Sequence, residues 1–149
     1  MDRDELFREH SRAMALGQGA RARELQAQVK DEDREDHYDF VTALFTIAIV
    51  HRLGEEPSID AIKRFVDEMS SDYRKAVPPL DSSALEGLIR ALYGEGHLLD
   101  DVSAEVQLEY QYLSIRKIVD QSAELVSNLD GLLKDASKLC EIWSQEDAS

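Results

Sequence analysis

VSAEVQLEYQYLSIRKIVD, residues Val102–Asp120, starts with every second residue apolar and finishes with apolar residues three and four apart. In its first half Val102, Ala104, Val106, Leu108, Tyr110 and Tyr112 alternate with Ser103, Glu105, Gln107, Glu109 and Gln111, which taken alone is a half-buried strand. Three features oppose a strand. The polar positions are mostly Glu and Gln rather than Thr, the only neighbouring strand would be the short HLL at His97–Leu99, and a lone two-stranded ribbon is marginal in water. The helical pattern that follows can also extend backward, since lengthening a helix costs far less than nucleating one. The stretch is therefore predicted to be helix throughout.

Downstream, Tyr112, Ile115, Val119, Ser122, Val126, Leu129, Leu133, Ala136, Cys140 and Trp143 alternate by three and four, with Ile118, Leu125, Leu132 and Leu139 recurring every seventh residue beside them. That stripe is wider than a two-stranded coiled coil needs and suits a bundle helix. Gly131 could mark a hairpin turn, but the heptad phase runs through it unchanged, so one continuous helix is predicted. From Tyr112 to Trp143 such a helix spans roughly 48 Å, against a radius of gyration of about 15 Å for a compact chain of this size. It would overhang its own domain. Ile115, Val119, Val126, Leu129, Leu133, Ala136, Cys140 and Trp143 are therefore the candidate stripe for self-association, as a homodimer, or for a partner. The alternative is that the amphipathic segment Met1–Lys30 folds back and covers the stripe within the chain.

Upstream, five helical segments are read. The first, about Asp4–Leu16, ends at the GQG of Gly17–Gly19, and the second begins near Ala20. A break is placed in DEDRED, Asp31–Asp36, where five acids in six residues strain a helix interior yet favour a helix N-terminus. HYDFVTALFTIAIVHRLG, His37–Gly54, is apolar around most of its circumference, as a helix surrounded by others would be. Ser58 caps a helix carrying Ile59, Ile62, Val66, Met69 and Tyr73 on one face; after VPP, Asp81 or Ser82 caps another carrying Leu85, Leu88, Ile89, Leu92 and Tyr93. The expected fold is an all-α helical bundle of about five helices with a long C-terminal heptad-patterned helix. Its expected parts are an N-terminal helical arm (1–35), a helical core (36–100) and the long helix (101–149), packed together as one domain. The alternative, over about Asp36–Tyr112, resembles the helix order of a winged-helix fold, with a short β-wing and a dimerisation helix.

Composition narrows the function classes. The formal charge is −14 over 149 residues, which repels nucleic acid and anionic membrane surfaces and favours a basic protein partner. The would-be recognition helix of the winged-helix alternative carries one base, Arg90, against Glu86 and Glu95, so nucleic acid is not the expected partner. The acid-rich surface could instead mimic nucleic acid. No apolar run reaches membrane-spanning length, and the acidic start MDRDELFREH is unlike a secretory signal, so a cytoplasmic protein with no membrane contact is expected.

No catalytic constellation is found. The single cysteine, Cys140, lies on the apolar stripe and reads as core rather than nucleophile. Asp33, Asp36, His37 and Asp39 form the best local cluster for a metal, but with no HExxH, no paired ExxH and no second cysteine it reads as chance in an acidic run. His10 falls on an apolar face and is expected to be packed; His51 and His97 flank helix ends. GQG and GEG lack the context for phosphate binding, and Asp100 and Asp101 read as a solvated turn. The expectation is a non-enzymatic, self-associating helical interaction or regulatory module with an acidic surface, needing no cofactor and no metal.

Overall fold

The computed structural model describes residues 1–148. Among them are eight α-helices and no strand: α1 (Arg3–Ala15), α2 (Gly19–Gln26), α3 (Arg34–Leu53), α4 (Ile59–Asp72), α5 (Ser82–Leu92), α6 (Ala104–Asp120), α7 (Ala123–Ser127) and α8 (Leu129–Ala148). Short 3-10 turns occupy Asp31–Asp33 and Gly96–Leu99. The protein is all-α, and the winged-helix alternative loses its wing, since HLL is a 3-10 turn and the alternating stretch is helical. Arg90, its lone recognition base, is held by Glu95 at 2.6 Å and Glu86 at 3.1 Å.

The alternation over Val102–Tyr112 has a specific cause. Ser103 caps α6, its hydroxyl accepting from the Val106 N–H at 3.2 Å. The buried face then runs through Gln107, Tyr110, Gln111, Ser114, Ile115 and Ile118, at helical spacing. Two inward positions are glutamines, and each is satisfied: the Gln107 amide donates to the Val102 carbonyl at 2.9 Å and the Gln111 amide to the Thr42 hydroxyl at 3.1 Å. Polar residues on the covered side produced a two-residue period in a helix.

The single C-terminal rod is corrected. It is three helices, broken at Gln121–Ser122 and at Asn128, while Gly131 lies inside the first turn of α8. Ser122 leaves helical geometry (φ −128, ψ 105) and its hydroxyl accepts from the Leu125 N–H at 3.2 Å, starting α7 afresh. Asn128 (φ −113, ψ 29) ends α7, and the Leu132 N–H bonds to its carbonyl as α8 begins. The short polar side chain of Ser122, competing for a backbone hydrogen bond, sets the first break, yet the apolar phase passes through both: Ile118, Leu125, Leu129, Leu132, Leu133 and Ala136 are all buried.

The chain divides into two compact units, 1–48 with 111–149, and 49–110, the divisions falling within α3 and α6. The first is built from segments distant in sequence. Asp2 caps α1, its carboxylate accepting from the Glu5 N–H at 2.8 Å, and Gly17 ends it with φ +72, a left-handed turn suited to glycine. Leu6, Ala13, Ala22 and Leu25 form an apolar cluster of α1 with α2; α1 also packs on α8, where Arg12 is ion-paired to Asp130. Phe7, Phe40, Leu44, Phe45, Ile115, Val119 and Leu133 are buried in the same unit.

The second unit is continuous in sequence. Ser58 caps α4 and Asp81 caps α5, each accepting a backbone N–H at 3.1 Å. Their apolar faces, Ile62, Phe65, Val66 and Met69 with Leu85, Leu88 and Ile89, are buried, and α4 contacts α5. Polar ties lie at the margin: Tyr93 donates to the Gly54 carbonyl at 2.9 Å, the Asp81 N–H to the Tyr110 hydroxyl at 2.8 Å, and Arg52 to both carboxylate oxygens of Glu68.

Candidate functional site

An open groove of about 560 Å³ lies in the first unit, lined by one face each of α1, α3 and α8. Helical spacing assembles it. From α1 come Arg3, Asp4, Phe7 and Arg8; from the first turns of α3 come Glu35, Asp36, Asp39 and Phe40; from α8 come Ser137, Cys140, Glu141, Trp143, Ser144 and Asp147. Phe7 and Phe40 are buried and lie 6.1 Å apart between ring centroids, and with the half-buried Trp143 they give the groove an aromatic lining.

The rim is strongly negative, with six carboxylates against two guanidiniums. Arg3 is engaged inside the groove, donating to Asp36 at 2.6 Å with its guanidinium 5.6 Å from the Phe7 ring centroid. Asp39 shows the resulting field. Partial burial raises its pKa above the ordinary aspartate value, and repulsion from Glu35, Asp36 and Asp147 adds to the rise. Burial, then the charges of Asp39, Asp36 and Asp4, push the Cys140 thiol up to about 11. At neutral pH it stays a protonated thiol, poorly suited to nucleophilic attack. Chemically the groove can attract and partly desolvate a cation, and aromatic faces can carry that cation's alkyl stem.

The eight stripe residues predicted from the heptads fare differently from one another. Ile115, Val119, Leu129, Leu133 and Ala136 are buried by the chain itself, at most 4% exposed, and α1 is among the elements packed on α8. Val126 is 47% exposed, while Cys140 and Trp143 turn their partly covered side chains to the groove. The candidate metal cluster is dispersed: Asp36 and Asp39 line the groove, Asp33 lies 3.7 Å from Arg3, and His37 points into the interior. Among the described residues no group of three or more His, Cys, Asp or Glu side chains is arranged to hold a metal ion.

The interior polar cluster comprises His10 from α1, His37 from α3 and Tyr112 from α6. His10 and His37 are 1% and 2% exposed, and His10 Nδ1 lies 3.1 Å from His37 Nε2, so one imidazole donates to the other. The Tyr112 hydroxyl is 3.5 Å from the same His37 nitrogen. His10 is packed, as its apolar surroundings in the sequence imply; its pairing with His37 was not legible there. The groove was also missed, because its acids come from three segments separated by tens of residues, and only the acid run of α3, with Asp36 and Asp39 three apart, hinted at a shared face.

No known protein family matches the chain, and neither curated proteins nor solved structures show a significant match.

Proposed function

We propose that the chain is a non-enzymatic, cytoplasmic helical interaction module that presents its acidic groove to Lys or Arg side chains of a basic protein partner. The observation that carries this reading is the excess of carboxylates around the aromatic lining of the groove. Like charges gathered on one concavity cost stability: repulsion from Glu35, Asp36 and Asp147 adds to the rise that burial gives the Asp39 pKa, and a bound cation would relieve that repulsion. The formal charge of −14 adds long-range attraction for such a partner. Self-association is a narrower proposal, resting on what the chain leaves uncovered of the heptad stripe, Val126 above all. A monomer mass by light scattering at micromolar concentrations removes it.

The test uses a labelled oligo-arginine peptide and an oligo-glutamate peptide of equal length, with Trp143, the chain's one tryptophan, as the reporter. The basic peptide is expected to bind, alter Trp143 emission and dissociate as salt rises. Glu35→Gln with Asp39→Asn is expected to weaken binding about tenfold, taking roughly 0.7 kcal/mol for each lost charge. Asp67→Asn with Asp101→Asn changes net charge equally in the other unit and should have little effect. Equal weakening by both pairs, or no response from Trp143, overturns the assignment to the groove.

A further inference from the structure

The histidine pair is buried where neutral imidazoles are favoured. Its surroundings are apolar or uncharged: the Phe7 ring stands edge-on to His37 at 5.2 Å between centroids, and Tyr112 edge-on to His10 at 5.4 Å. Several charged groups on the elements around it are committed elsewhere, Asp33 and Asp36 beside His37 to Arg3 among them. On α1, Arg3 binds Asp36 and Arg12 is paired with Glu9 and with Asp130 of α8. On α6, the Arg116 guanidinium lies over Gly17, and burial raises the Tyr112 phenol so that it keeps its proton. No carboxylate among the described residues forms an ion pair with either imidazole, so a proton added here would create a buried, uncompensated charge. Two added protons would set N–H against N–H across 3.1 Å.

We propose that His10 and His37 form an acid-sensitive latch: neutral, they fasten α1 to α3 beside Tyr112, and on acidification they release α1. The proposal stands on this geometry and is independent of the groove's occupant. Burial lowers both pKa values from 6.5 to about 4, with mutual repulsion adding for His10. Because the closed-state values lie below the open-state ones, the stability contributed is fully present above pH 6.5 and is lost as pH falls toward 4. At pH 5 the opening constant is expected to exceed its value at pH 7 roughly twentyfold if opening takes up one proton, and about five-hundredfold if it takes up two. Approach to the pI of 4.6 reduces net repulsion, and protonating Asp39 relieves its own. Opening in mild acid therefore proceeds against both of these effects.

Trp143 shares the groove with Arg3, Phe7 and Arg8 of α1, so its accessibility reports whether α1 is in place. In the full chain, acrylamide quenching of Trp143 should rise from pH 7 to 4.5 while far-UV circular dichroism retains most of the helix signal. His10→Gln with His37→Gln should abolish the pH dependence, whatever its effect on stability at pH 7. Quenching flat with pH in the natural chain, or an unchanged pH profile in the double variant, overturns the latch. If the double variant does not fold, the imidazole C–H resonances of the natural chain decide: reversible titration of His10 or His37 near pH 6.5 with α1 amides still protected overturns it. Silence of both until α1 amides begin to exchange supports it.

Discussion

The two units bury different chemistry. In 49–110 the interior faces of α4 and α5 are apolar, the buried amide of Gln107 closes locally on the Val102 carbonyl, and polar ties such as Tyr93–Gly54 and Arg52–Glu68 stay at the margin. In 1–48 with 111–149, polar groups go inside: His10 against His37, and Gln111 against Thr42. An apolar interior has nothing to titrate and responds to pH only through its surface. A polar one must keep each group matched, so its stability depends on protonation state, and it is the unit that also carries the charged groove. Burying polarity couples a fold to its solution conditions.

The largest expected effect sharpens the contrast from the apolar side. Phe65→Ala, at a site 1% exposed, should cost about 3–5 kcal/mol in urea unfolding, with little pH dependence between 7 and 5. A strong pH dependence would blur the distinction between units. Next, Gln111→Leu removes the amide that meets Thr42 and should cost about 1–3 kcal/mol, whereas replacing both, as Thr42→Val with Gln111→Leu, should recover part of that loss. A double-mutant cycle reads the recovery directly. Ser58→Ala and Ser122→Ala delete comparable caps in the two units and should each cost about 1 kcal/mol. A much smaller loss at Ser122 would mean that packing on neighbouring helices, not the cap, holds the α6–α7 break.

The smallest effect has the most diagnostic sign. Asp39 has a raised pKa, so its ionised form is disfavoured in the fold; that penalty applies above the raised value and vanishes as pH falls through it. Because the side chain is mostly exposed and screened, Asp39→Asn should gain no more than about 0.5 kcal/mol at pH 7, and nothing in acid. A thermal-melt series at both pH values checks this. A substitution that stabilises the chain while weakening its hold on a basic peptide marks a residue kept for binding.

What the sequence revealed follows the same division. In 49–110 the elements were readable because Ser58 and Asp81 precede apolar residues spaced by three and four, and local rules govern local structure. The outer parts, and the start of α6 at the end of 49–110, resisted. Gln107 and Gln111 lie on the covered face, so polarity and exposure part company and a helix imitates a strand. Ser122 and Asn128 are good cap residues, but an unbroken heptad phase outweighed them, although phase records which side is covered and not whether the axis is continuous. The groove and the histidine pair depend on juxtapositions across 27 or more positions, for which periodicity carries no signal.

Gly131 gives the C-terminal break a further meaning. A Cβ at that position would stand 2.5 Å from Asn128 Oδ1, so the asparagine occupies space that a hydrogen leaves open. Alanine there would evict the asparagine, and a second alanine at 128 would erase its reason for being there. The register of an uninterrupted rod survives on both sides of the joint. Glycine at 131 and the side chain of Asn128 thus share one small space at the joint between α7 and α8, while the break at Ser122 stands apart from it.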